Sequence, residues 1–388
     1  MKEMSDDTRR TFLKSTVGTA AGLFLLPKLP LQASTTTELT PGNIWIKKPL
    51  ASRIKFAVIG MNHGHIYGQV EALLQGGGEL VSYYAKEKEL ADAFGKRYPK
   101  AKLAREENEI LEDPSIQLVT SAGIPNERGP LGIRVMKAGK DYMSDKPAIT
   151  SLKQLAEIKK VQKETKRIFS IMYGERLGNR ATVKAGELVK AGAIGKVIQT
   201  IGMGPHRMSL SSRPEWFFDK AKFGGILCDI ASHQFDQFLY FTNSTSAKIL
   251  ASQAGNTHHP QYPKFEDFGD AMVQGNGGSG YIRVDWFTPD GLKSWGDGRL
   301  TVLGTDGYLE IRKNVDIAGR DGGNHLFLVD NKETRYIDSS DTELSYGRQL
   351  VDDVLNRTET AMTHAHCFLA TELALIAQKN ASTMPQKG

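Results

Sequence analysis

Asp229, His233 and Asp236 recur at helical spacing within Gly224–Phe241, GGILCDIASHQFDQFLYF. The apolar residues Leu227, Ile230, Ala231, Phe235, Phe238 and Phe241 fall on the other side, which predicts one amphipathic helix. At about 100° per residue, Asp229 and His233 stand one turn apart, roughly 40° around the axis. A carboxylate beside an imidazole orients the ring and tunes it for proton transfer near neutral pH. The same spacing suits a solvated helix face on which an acid merely caps the histidine, and this stretch alone leaves both readings open. Gly224 and Gly225 suit a turn where the backbone approaches a neighbour closely.

A second group with chemical potential follows a short apolar run, Arg53–Gly60. It reads Gly60-Met61-Asn62-His63-Gly64-His65. A strand ending in glycine and opening a helix is where a doubly wound sheet binds the pyrophosphate of a dinucleotide, usually through G-x-G-x-x-G. Here Asn62 holds the second glycine position and His65 the third, with Gly64 adjacent. Asn tolerates left-handed backbone, so the turn is feasible, and a helix N-terminus can still hold phosphate through its N–H groups. No acid stands at the end of the second strand to meet a ribose hydroxyl. Ala85 and Lys86 do, and a cation there leans slightly towards NADP. His63 and His65 have no third ligand nearby in sequence, so no metal is expected.

The elements that position these groups alternate. Strands are expected at 53–60, 79–84, 117–121, 141–144 and 169–173, and helices at 66–74, 87–97, 129–138 and 151–165. This predicts a Rossmann-type, doubly wound parallel α/β sheet over 53–175. Strand-like runs at 196–202, 247–254, 269–274, 280–287, 299–304 and 308–312, with closing helices at 350–355 and 364–378, predict a second, α+β domain over 176–388. The 388 residues suit two domains. The +6 net charge is spread along the chain without a basic stripe, which argues against a nucleic-acid partner. Cys228 and Cys367 make neither a disulfide framework nor a zinc cluster. Thr8–Lys14, TRRTFLK, matches a twin-arginine export signal, expected over 1–33 and followed by a linker over 34–52. The expected location is the periplasm, with no membrane attachment after export.

Ser144-Asp145-Lys146-Pro147 joins these pieces. With Ile124-Pro125-Asn126, Arg176, Gly192-Ala193-Ile194-Gly195 and the Gly224-Gly225…Asp229…His233…Asp236 spacing, the chain resembles the Gfo/Idh/MocA oxidoreductase family from about Arg53 to Gln378. Asp145-Lys146-Pro147 stands for that family's E-K-P, while Glu127, Arg128 and Gly129 stand where a His often follows P-N. The resemblance implies NAD(P) as cofactor, held by Gly60, Asn62, His63, Gly64, His65, Lys86, Pro125, Asn126 and Lys146. It implies Lys146 at the nicotinamide ribose and the reacting hydroxyl, His233 as general acid/base, and Asp229 as its partner. Arg176, His206 and Trp216 are expected at a carbohydrate substrate. It also implies a large open, mostly antiparallel second sheet whose free face builds a homodimer or homotetramer. The expected activity is oxidation of a secondary hydroxyl of a sugar, polyol or glycoside with a tightly held cofactor. The alternatives are glycoside cleavage by transient oxidation and elimination, metal-assisted chemistry at His206, Asp229 and His233, and non-catalytic carbohydrate binding.

Overall fold

The fold comes from a computed structural model, described for residues 52–384. The twin-arginine segment and all of the expected linker except Ser52 lie outside the described residues. In the first sheet, short apolar runs form parallel strands buried on both faces: five of the six residues of β1 (Ile54–Ile59) are buried. It is followed by α1 (His65–Gln75), β2 (Gly78–Tyr84), α2 (Lys88–Arg97), β3 (Lys102–Leu103), α3 (Glu107–Leu111), β4 (Leu118–Ser121), α4 (Pro125–Lys137), β5 (Asp141–Asp145), α5 (Leu152–Thr165) and β6 (Phe169–Met172). The strands order β3-β2-β1-β4-β5-β6, all parallel, so the strand order reverses between β1 and β4. Ligands bind beyond the carboxyl ends of the strands at such a switch point.

The chain continues through α6 (Gly174–Leu177), α7 (Arg180–Lys190), β7 (Val197–Pro205), two short 3-10 turns (Leu210–Ser212 and Glu215–Phe218), α8 (Lys220–Phe223), α9 (Ile226–Asp229) and α10 (Ser232–Thr242). Then come β8 (Ala247–Gly255), β9 (Phe268–Gly275), β10 (Ser279–Asp285), β11 (Arg299–Gly304), β12 (Gly307–Arg312), β13 (His325–Asp330), β14 (Thr334–Ile337), α11 (Tyr346–Asn356), α12 (His364–Asn380) and β15 (Ser382–Thr383). Nine strands order β14-β13-β12-β11-β7-β10-β9-β8-β15, antiparallel except for β7 with β10 and β8 with β15. One sheet face packs on helices. The register puts Ile201, Met272, Leu303, Tyr308 and Tyr336 together on the other face, and all five are exposed.

Two features differ from expectation. The single helix expected over 224–241 is broken into α9 and α10. Ser232 Oγ donates to the Asp229 carbonyl at 3.0 Å, and His233 N–H turns to the Ile230 carbonyl at 3.1 Å instead of continuing the four-residue ladder. The expected polar face is also not solvated, since His233 and Asp236 are buried. Helix α7 and strands β13 and β14 carry no expectation. Helices α11 and α12 return to the first sheet: Tyr346 OH shares a 2.8 Å hydrogen bond with Ser170 Oγ, and Arg357 grips Asp141 at 2.6 and 2.8 Å.

Candidate active site

Lys146 directly follows β5 and Asp229 ends α9, and Lys146 Nζ donates to Asp229 Oδ1 at 3.0 Å. A largely buried ion pair therefore joins the end of the first sheet to α9. Burial pushes the Asp229 carboxyl up, and the Lys146 ammonium more than offsets this, holding it below its ordinary value. Asp229 is thus the partner of Lys146, where the helical spacing had placed it beside His233. His233, in the first turn of α10, leaves Nδ1 buried without a hydrogen-bond partner. Burial lowers its imidazole to about 3 against the opposing charge of Glu175, so the ring is neutral at pH 7. Glu175 Oε2 accepts from Lys313 Nζ at 2.5 Å, Gln234 Nε2 at 2.8 Å and Gln237 Nε2 at 3.3 Å. Burial opposes its ionisation, and Lys313 outweighs this and holds the carboxyl well down. This Glu175–Lys313 pair fixes the start of α10, where Gln237 Nε2 also donates to the His233 carbonyl at 2.8 Å.

The glycine-poor turn is built differently from a three-glycine one. Only Gly60 is left-handed, at φ +78°, where a Cβ would lie 3.1 Å from Gly123 Cα. Asn62 needs no left-handed backbone, and its Nδ2 donates to Glu87 Oε1 at 2.9 Å. His63 Nδ1 and His65 Nδ1 donate to opposite oxygens of Asp145, at 2.7 and 2.9 Å, with ring centroids 4.0 Å apart. Asp145 is therefore the third group that the two histidines lacked in sequence. Among the described residues, these three side chains form the one cluster spaced as metal ligands, and His206, Asp229 and His233 form none. The buried Arg128 guanidinium stands 3.2 Å from the same carboxylate, which disfavours a cation there. Burial lowers His63 to about 4, and His65 adds to the shift.

The residues present fit a dinucleotide. Helix α1 starts without a side-chain cap or an acid in its first turn, as an anion-binding N-terminus requires. Gly60, Asn62, Tyr84, Lys86, Glu87 and Glu127 line one cleft at the switch point. No acid ends β2, and Glu87, two residues beyond Ala85, is the first acid after it. Lys86 pairs with Glu127 at 2.9 Å, and Arg134 pairs with Glu107 at 2.6 Å. Pro125 opens α4, and the Asn126 carbonyl accepts from Gln154 Nε2 at 3.0 Å.

The expected substrate residues divide. His206 Nδ1 donates to the Gly204 carbonyl at 3.0 Å, and its ring lies 5.3 Å from Trp286 and 4.6 Å from Trp295. Burial and then Lys146 lower His206 to about 4. Trp216 is half-buried and packs edge-on to Phe217, 6.3 Å away. Arg176 is committed elsewhere. It grips Asp236 at 2.6 and 2.7 Å while His366 Nε2 reaches the same acid at 2.8 Å, so it ties α6 to α10 and α12. The sequence reading missed Glu175, Lys313, Glu87, Trp286 and Trp295. Glu175 and Glu87 adjoin singled-out residues, but Lys313, beyond β12, has no local signal.

A parallel dinucleotide cleft beside a lysine, an aspartate and a buried neutral histidine defines a two-part oxidoreductase acting on CH–OH groups. The chain belongs to the Gfo/Idh/MocA family: residues 54–173 match its NAD-binding Rossmann fold and residues 182–310 its C-terminal domain. A solved candidate oxidoreductase from Erwinia carotovora atroseptica SCRI1043 is 44% identical with TM-score 0.84, covering 86% of this chain and 100% of that one. Scyllo-inositol 2-dehydrogenase (NAD(+)) of Bacillus subtilis (strain 168) is 24% identical over 310 residues, 77% of this chain and 86% of that protein. Levoglucosan dehydrogenase, solved with NADH and levoglucosan, shares the fold at TM-score 0.71 and 17% identity, covering 84% and 98%. The family includes both NAD and NADP enzymes.

Proposed function

We propose that the protein oxidises a secondary hydroxyl of a sugar, polyol or glycoside, or runs the reverse reduction. The observation that carries this reading is the buried Lys146–Asp229 pair beside a neutral His233 whose Nδ1 has no partner. The nicotinamide, when bound, supplies the hydride acceptor. Lys146 places a cation where the substrate hydroxyl loses its proton, and Asp229 keeps that cation aimed. His233 is uncharged at pH 7, so it can accept a hydrogen bond or the proton from the hydroxyl. His206, Trp286 and Trp295 offer the aromatic wall on which sugar C–H faces pack.

The reading takes NAD as the cofactor, where Lys86 alone suggested NADP. Glu87, Glu107 and Glu127 face it, and Lys86 and Arg134 are each already paired with one of these acids. Lys86, Arg128 and Arg134, the cations lining this cleft among the described residues, each already face a carboxylate, which leaves a 2′-phosphate no unpaired cation there. The reading also takes the protein as exported, supported by TRRTFLK. It takes it as a homodimer or homotetramer, supported by the exposed apolar row on the second sheet, where apolar patches mark interaction surfaces. The relatives' names support a polyol or cyclic sugar substrate. The test is absorbance at the reduced-nicotinamide band with NAD+ or NADP+ and a panel of polyols, sugars and glycosides. Reduction with at least one member is expected. No reduction with any member, and no oxidation of NADH or NADPH with the corresponding keto sugars, contradicts the reading.

A further inference from the structure

The connection between β7 and α8 carries Arg213 beside the aromatic wall. Its Nε donates to the Met208 carbonyl at 2.9 Å and its Nη2 to the Arg207 carbonyl at 3.2 Å. The guanidinium lies 4.5 Å from the Phe217 ring centre and 4.9 Å from that of Trp286, and Trp286 in turn touches His206. Two carbonyls thus fix the fork and two rings fix its plane. Among the described residues, no carboxylate comes within ion-pair distance of Arg213. Burial pushes the guanidinium below its ordinary value, opposed by Asp229 alone. The ammoniums of the site are already matched, Lys146 with Asp229 and Lys313 with Glu175. Arg207, the neighbouring cation, is spent on the Pro289 carbonyl at 3.1 Å and on Asp290 at 3.5 Å. Arg213 thus keeps a positive charge beside the aromatic wall without a carboxylate partner among the described residues, held rigid and partly desolvated.

We propose that Arg213 binds a carboxylate carried by the substrate, which makes the substrate class an acidic sugar derivative, a uronate or an aldonate. This rests on the oxidoreductase reading above and narrows it. The two carbonyls take one N–H each from Nε and Nη2, so a planar carboxylate suits the remaining Nη1–Nη2 end of the guanidinium, whose plane the rings hold. The hydroxyl to be oxidised then lies at Lys146 while the acid end is held at Arg213.

The test is equilibrium binding of matched pairs to the protein with and without NAD+, followed by tryptophan fluorescence or calorimetry. The pairs are D-gluconate with D-glucitol and D-glucuronate with D-glucose. In at least one pair the acid is expected to bind about tenfold or more tighter than its neutral partner, as a charge-assisted contact implies. R213Q should bring that ratio close to one, and R213K, which keeps the charge without the fork, should keep part of it. An acid no tighter than its neutral partner in both pairs overturns the proposal, as does a preference that R213Q leaves standing. If R213Q does not fold, an undiminished ratio in R213K overturns it. These ratios need no turnover, so failure here and failure of the oxidoreductase reading are separate results.

Discussion

At the scale of single residues, the proposed chemistry rests on Lys146 and His233 in different ways. Lys146 acts by charge and His233 by an uncharged nitrogen that the protein leaves without a partner. Lys146→Ala and His233→Ala should each lower kcat by about 10²–10⁴-fold with the fold intact, the span for losing a positioned proton-transfer group. Steady-state kinetics beside a melting curve would check this, and undiminished turnover in either variant contradicts the assignment. These residues were legible because Lys-Pro after a strand and D-x-x-x-H are compact patterns. The pairing among them was not. Helical spacing brought Asp229 to His233, but the Ser232 hydroxyl takes the Asp229 carbonyl and breaks the helix between them. Lys146 then claims the acid across 83 residues of chain, a contact no local pattern carries. Arg176 misled for the opposite reason: it lies beside the site in sequence, but Asp236, 60 residues on, takes its fork.

At the scale of elements, Gly225 opens α9 and thereby sets where Asp229 ends up. Its φ is +94°, and a Cβ there would lie 2.3 Å from Gln378 Oε1, whose amide also holds Leu227 N–H at 2.9 Å. Gly225→Ala should destabilise the protein by about 1–3 kcal/mol, the cost of a strained left-handed residue, and lower activity by displacing Asp229. Thermal unfolding together with kcat would show both, and a variant as stable and active as the parent contradicts the role given to this turn. The first sheet was readable because buried parallel strands are continuous apolar runs separated by short links. β14 was not, because Thr334–Ile337 is a short, mostly exposed edge strand whose pattern does not alternate clearly. The β1–α1 turn was half readable. Its departures from the glycine pattern were plain, but their resolution through Glu87 and Asp145 needed the packed structure.

At the scale of the whole molecule, three imidazoles, His233 buried and His63 and His206 partly so, couple folding to pH. Burial holds His63 and His206 at about 4 and His233 at about 3, against an ordinary 6.5. A group with a lowered folded pKa contributes stability above its unfolded pKa and loses it as pH falls towards the folded one. Unfolding should therefore become easier from about pH 6.5 down towards 4, with the melting temperature falling throughout. His206→Gln should flatten that slope, and a melting temperature independent of pH across this window contradicts the burial assigned to these rings. The paired carboxylates Asp145, Asp229 and Glu175 shift in the same sense and steepen the loss at lower pH.

The most direct measurement is on freshly purified protein, denatured and searched for released nicotinamide dinucleotide by absorbance and mass, followed by titration of the emptied protein with NAD+ and NADP+. The account predicts dinucleotide released or rebound at about one per chain, with NAD+ the tighter because Lys86 and Arg134 in the cleft are already paired with acids. No released dinucleotide and no binding of either on titration would contradict the oxidoreductase account at its centre.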